Sequence, residues 1–188
     1  MTRRLRLVLL ILLFGIPLPA LTASVEILNA GPDNVAIDGF DTVAYFVEGQ
    51  PVKGKPEIVV RYKGRDWLFS SVDNRDKFTE SPESYEPQFN CFCAIAVSEG
   101  AAAEVDFVDG WVIHDGMLFL NWSVSVKEIF LQERSERTAD AFRYWPEFYS
   151  DMKHGLRRIA RHRDFSEVGI VHPQNVPENE RSLKTDAQ

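Results

Sequence analysis

Apolar and polar positions fall into short runs separated by turn residues along most of this chain. Ile58 to Tyr62 and Trp67 to Ser70 flank Lys63-Gly64-Arg65-Asp66 and predict a β-hairpin. Trp111 to His114 and Met117 to Asn121 flank Asp115-Gly116, the strongest two-residue hairpin signal present. Val35 to Phe46 predicts a short strand, a turn at Asp38-Gly39 and a second strand over Val43-Ala44-Tyr45-Phe46. Asp73 offers a helix start with Phe78 on the buried side, and Pro82 opens a helical turn ending near Tyr85. Ser125 to Gln132 has helical spacing at Val126, Ile129 and Phe130. Pro146 then suits the first turn of a last helix, with Phe148, Met152, Leu156 and Ile159 on one face. After Phe165 the periodicity fades into a tail with Pro173, Pro177 and alternating charges. Hairpins interleaved with short helices predict a compact single α+β domain rather than a parallel βαβ sheet.

Composition narrows the class. The 188 residues are 45% hydrophobic, enough for one packed domain and too few for two. A net charge of −7 speaks against a general nucleic-acid binder, and no glycine-rich phosphate loop supports a nucleotide enzyme. Two cysteines cannot staple a small secreted scaffold, so the core must carry the fold. Arg3, Arg4 and Arg6 precede an apolar run from Leu7 to Leu18, followed by small residues at Ala20, Ala23 and Ser24. That pattern predicts a signal peptide over 1–23 and a mature protein that is exported, periplasmic or secreted, with an uncleaved membrane anchor as the alternative.

Several ordered segments then carry a resemblance: Val35-Ala36-Ile37-Asp38-Gly39-Phe40-Asp41-Thr42-Val43-Ala44-Tyr45-Phe46, Gly64-Arg65-Asp66-Trp67-Leu68-Phe69-Ser70-Ser71, Asn74, Phe78 and Pro82-Glu83-Ser84-Tyr85-Glu86-Pro87-Gln88. Cys93-Ala94-Ile95-Ala96-Val97-Ser98-Glu99-Gly100, Asp115 to Asn121 and Trp145-Pro146 continue it. Over residues 35–146 the chain resembles the exported YHS-domain proteins. The resemblance implies a YHS-like domain over 24–146; apolar spacing and charge predict a basic amphipathic helix over 147–165 and a loose tail over 166–188 after it. It also implies metal handling, with copper as the first ligand class to consider. The positions where the family's metal cysteines are expected hold Ala44, Ser70, Ser71 and Arg75, and Asn90-Cys91 stands where a Gly-Gly pair is more common. Only Cys93 matches a family cysteine.

Cys91-Phe92-Cys93 is the candidate metal site, and its chemistry depends on local structure. In a strand the two thiols share a face with Cα atoms about 6.6 Å apart, a strained span for a disulfide but usable for a soft ion such as Cu(I). In a helix they diverge by about 200°. Asn90 as N-cap and Gly100 as the residue past the end favour a helix, while alternation at Phe89, Cys91, Cys93, Ile95 and Val97 favours a strand. A helix would put both thiols in its first turn, where the dipole lowers a thiol pKa and makes a redox role the alternative function. The plainest alternative is a buried apolar cysteine.

Other polar groups add less. His114 beside its turn is expected to be exposed, and a Cys93–His114 pair is conceivable. His154 and His162 are too far apart for a helical two-ligand site, and His172 lies in the tail. Asp38, Asp41, Asp106, Asp109 and Asp115 fall in turn contexts. Trp67, Phe69, Tyr85, Trp111 and Trp145 are expected in the core, with a lined ligand pocket as the sharper option. Residues 152–163 hold five basic side chains and no acid: Lys153, Arg157, Arg158, Arg161 and Arg163. Packing on the acidic domain is the expected role, and docking on a membrane surface or partner is the further alternative. The sequence thus predicts a non-enzymatic binding or accessory module.

Overall fold

The computed structural model describes residues 34–154 and the pair 159–160. Both predicted hairpins are present. Strands β1 (Lys55–Tyr62) and β2 (Arg65–Phe69) pair antiparallel, as do β4 (Trp111–His114) and β5 (Met117–Leu120). Each hairpin turns on two residues of positive φ: Lys63 (45°) and Gly64 (76°) in the first, Asp115 (50°) and Gly116 (74°) in the second. That geometry matches the right-handed twist of the strands it joins. Helix α2 (Val72–Glu80) begins where Ser71 accepts the Asn74 N–H at 3.1 Å, and it buries Phe78. A 3₁₀ turn at Pro82–Ser84 follows.

The first segment departs from expectation. Instead of two strands around Asp38-Gly39, Ala36–Gly39 forms a left-handed turn (φ 42° at Ile37, 52° at Asp38, 73° at Gly39) and Ala44–Val47 forms a short helix, α1. The cause is Asp41, whose side chain is fully buried. Its Oδ1 accepts the N–H groups of Val43 (2.9 Å) and Ala44 (3.3 Å), opening a helical turn. Its Oδ2 accepts the Ser70 N–H (2.8 Å), the Ser70 hydroxyl (2.7 Å) and the Asn74 amide (2.8 Å). One carboxylate therefore joins α1, the end of β2 and α2, and overrides the β-propensity of Val43-Ala44-Tyr45-Phe46.

The second departure is the long helix α4 (Val124–Lys153), capped by Ser123 accepting the Val126 N–H at 3.3 Å. It runs through Pro146, where a new helix was expected to start, and bends at Glu133 (φ −114°, ψ 18°). Pro146 removes one helical hydrogen bond, yet burial of Phe148 and packing of Trp145 on both sides hold the turn in place. The expected helix over 147–165 therefore stops at Lys153. Ile159–Ala160 (β6) is extended instead, pairing parallel with β3 (Ala102–Ala103). The signal peptide over 1–23 and the tail over 166–188 lie outside the described residues. Among the described residues no helix is long and apolar enough to cross a membrane.

Two core clusters share the β4–β5 hairpin as a common wall. One gathers Tyr45, Trp67, Phe69 and Phe78 with Leu118 and Leu120; the other gathers Phe89, Phe92, Val112, Phe119, Phe130 and Phe148. Alternation along β5 sends Leu118 and Leu120 to one side and Phe119 to the other, as a period of two requires. At Gly110 a side chain has no room, since a Cβ would stand 2.3 Å from the Asn121 carbonyl oxygen. The result is a small α+β fold whose helices and hairpins close over two aromatic cores.

Candidate functional site

Residues 87–93 run alongside β5, with bridges from Pro87 to Leu118 and from Cys93 to Leu120. Within this run the backbone turns left-handed at three consecutive non-glycine residues: Phe89 (φ 54°), Asn90 (56°) and Cys91 (66°). Such a conformation costs an L-residue about 1–2 kcal/mol each. Asn90 is consequently not an N-cap. Cys93 precedes helix α3 (Ala94–Ser98), and Gly100 (φ 73°) lies just past its end, as the sequence predicted. The segment is thus a left-handed turn up to Cys91, extended at Phe92, and helical only from Ala94, with Cys93 at the junction.

That placement decides where the thiols point. Cys91 and Cys93 are both buried, not in a disulfide, and part of the Tyr45–Trp67 cluster, whereas Phe92 between them enters the Phe119–Phe148 cluster. Both cysteine side chains therefore enter one cluster and the phenyl ring between them the other. Cys93 is the residue that opens α3, whereas Cys91 lies two residues earlier and outside the helix. Burial pushes both thiols up; at Cys91 the Glu86 carboxylate adds to this and Lys63 opposes it. At Cys93 the backbone amides of Ala96, Trp122 and Ile95 stand toward the sulfur and hold the rise back.

Beside Cys91 the Lys63 ammonium grips Glu86 at both oxygens, at 2.6 and 2.8 Å. Lys63 comes from the β1–β2 turn and Glu86 from the start of the 87–93 run, so the pair ties the hairpin to the strained turn. Burial raises the Glu86 pKa, with Lys63 working against it; for Lys63, burial lowers the pKa but the bonds to Glu86 and Tyr62 outweigh it. Against this pair lies a cavity of about 160 Å³, bordered by Gln88 and Asn90 and by Trp145 and Tyr149 of α4. Sequence reasoning placed Trp145 among core aromatics with a pocket as an option, but gave no signal for Lys63 and Glu86, which meet only in three dimensions.

The remaining candidates resolve as structure. Ser70 and Asn74 serve Asp41, and Ala44 is core. Trp67 and Phe69 are fully packed. His114 is half-buried rather than exposed, with its Nε2 3.5 Å from the Asp115 carboxylate and its ring against Phe119. His154 ends α4, its Nδ1 2.7 Å from the Ser150 carbonyl. Asp106 caps its own loop, accepting the Val108 and Asp109 N–H groups. His162, His172, Arg157, Arg158, Arg161 and Arg163 lie outside the described residues; Lys153 stands 5.6 Å from the Tyr149 ring. Among the described residues, no group of three or more His, Cys, Asp or Glu side chains is arranged to hold a metal ion.

Comparison with known proteins gives no match among curated proteins and none among solved structures. One family model does match. It covers α1, the first hairpin, α2 and the Pro82–Ser84 turn, and ends at Gln88, just before the strained turn and both cysteines. A YHS domain is found at residues 43–88 of this chain.

Proposed function

We propose that this chain is an exported, non-enzymatic YHS-type binding module that holds one soft metal ion, Cu(I), between Cys91 and Cys93. One observation supports the reading above others: Cys91 and Cys93 turn into the same core cluster while Phe92 turns away. A two-sulfur donor set suits Cu(I), which accepts thiolates, and does not suit harder ions that need several oxygen or nitrogen ligands. Three backbone amides near the Cys93 sulfur favour its ionised form. The thiol-redox alternative is the weaker reading, because both sulfurs are buried, out of reach of the exchange partner that such chemistry needs.

Binding must displace a proton from each thiol. The apparent affinity then rises about a hundredfold per pH unit while both are protonated in the free protein. An anaerobic Cu(I) competition titration at several pH values tests this, run beside Cys91→Ser and Cys93→Ser. One-to-one binding with that pH slope, lost in both variants, is the expected result. No competitive binding, or binding untouched by either substitution, overturns the metal assignment. Sequencing the N-terminus of protein recovered outside the cytoplasm tests export, with a start near Ser24 expected.

A further inference from the structure

We infer that the cavity beside the Lys63–Glu86 pair is a second binding site, separate from the thiols, built for a neutral polyhydroxylated ring such as one hexose unit. The charges at its edge decide the class. Both Glu86 oxygens are held by Lys63 at 2.6 and 2.8 Å, so the pair cancels itself. An anion or cation gains no net attraction there and would have to part a half-buried ion pair. The remaining polar lining is amphoteric in kind: the carboxamides of Gln88 and Asn90 and the Tyr149 hydroxyl each carry both donor and acceptor atoms. That mixture matches hydroxyl groups, which also donate and accept. The lining is also partly aromatic, with Trp145 and Tyr149 of α4 supplying ring atoms for the apolar C–H groups of a sugar ring.

Size and rigidity agree with this class. A cavity near 150 Å³ holds one six-membered ring, and this one is about 160 Å³. Trp145 is fixed by neighbouring rings, 5.7 Å from Phe89, 5.9 Å from Phe148 and 5.2 Å from Tyr149 between centroids. The floor is the left-handed turn at Phe89 and Asn90, whose conformation is set by the fold before any ligand arrives. Such preorganisation lowers the entropy lost on binding. An open site of this size holds a single sugar with a Kd in the millimolar range.

The test is an NMR titration of the full chain with methyl β-D-glucopyranoside and N-acetylglucosamine, beside sodium acetate and tetramethylammonium chloride. A saturable shift with at least one sugar, and none with either ion, is expected. Gln88→Ala, at the cavity edge, should weaken binding about fivefold, the loss of one hydrogen bond. Trp145→Phe should weaken it further, with folding checked by its thermal transition because Trp145 also packs in the core. Cys93→Ser should leave sugar binding intact, which separates this site from the thiol reading. Saturation by acetate or tetramethylammonium alone overturns the assignment. So does the absence of a saturable sugar shift well above the millimolar range, or sugar binding unchanged in both Gln88→Ala and Trp145→Phe.

Discussion

Replacing Asp41 by alanine tests the central structural reading. In the native fold its two oxygens receive five donors, from Val43, Ala44, Ser70 (backbone and hydroxyl) and Asn74. After truncation some of these recover. The Asn74 amide already lies 3.3 Å from the Ser70 hydroxyl and can lean on it, and the Ala44 N–H bond is the longest of the five. The Val43 and Ser70 N–H groups have no such recourse in a buried setting. Each orphaned donor costs about 1–3 kcal/mol, so the variant should lose about 3–5 kcal/mol in total. Asp41→Asn should lose nearly as much, because an amide nitrogen placed at either oxygen position faces donors. Urea denaturation followed by tryptophan fluorescence reads the loss as a lower midpoint at unchanged slope. Asp73→Ala is the control: Asp73 is exposed and pairs with Lys77 one turn on, so its loss should change stability by no more than about 0.5 kcal/mol. A loss below about 1 kcal/mol in Asp41→Ala would refute the idea that one carboxylate fastens three elements together.

Three further predictions follow from burial and backbone geometry. The raised thiol pKa values mean that stability is whole below about pH 8.5 and falls as pH climbs, since an unfolded thiol ionises there and a buried one does not. Unfolding free energy should drop by up to about 2.7 kcal/mol per pH unit once both unfolded thiols are ionised, with Cys91→Ala roughly halving that slope; equal slopes in the two proteins would contradict it. Cys91→Gly should change stability by less than about 1 kcal/mol, because relief at φ 66° offsets the lost side chain, whereas Cys93→Gly at φ −57° has no relief and should cost at least about 2 kcal/mol. Pro146→Ala restores a donor for the Phe142 carbonyl and should stabilise by about 1–2 kcal/mol after allowing for the looser unfolded chain; an unchanged or lower Tm would show that the helix does not need that bond.

Both hairpins and helix α2 were legible in the sequence because their signals are local: paired turn residues, alternation and an acidic helix start at Asp73, two residues past the Ser71 that caps α2. The 35–46 segment was not, because its apolar run reads as strand and only a partner from residue 70 onward reveals Asp41 as the organiser. In residues 89–99 the helical signal is true only from Ala94, and the alternation fails at its start. Three left-handed residues from Phe89 to Cys91 send Phe89 to the cluster opposite to Cys91 and Cys93, a turn that no local pattern announces. Pro146 misled in the other direction, since a proline usually opens or breaks a helix and here tertiary burial of Phe148 carries the helix past it. The Lys63–Glu86 pair had no sequence signature, being two ordinary surface residue types that the fold brings into hydrogen-bond range.

The point at which the YHS match stops has a consequence for how this unit can be handled. Tyr45, Trp67, Phe69 and Phe78 lie inside residues 43–88, but the surfaces that seal them, from Cys91 and Cys93 to Leu118 and Leu120, come later in the chain. Cut out at its recognised borders, the segment would be a box without a lid, with four large rings opened to water. The inherited motif is therefore not a portable cassette: to move it into another protein, an engineer would have to carry the second hairpin along as well.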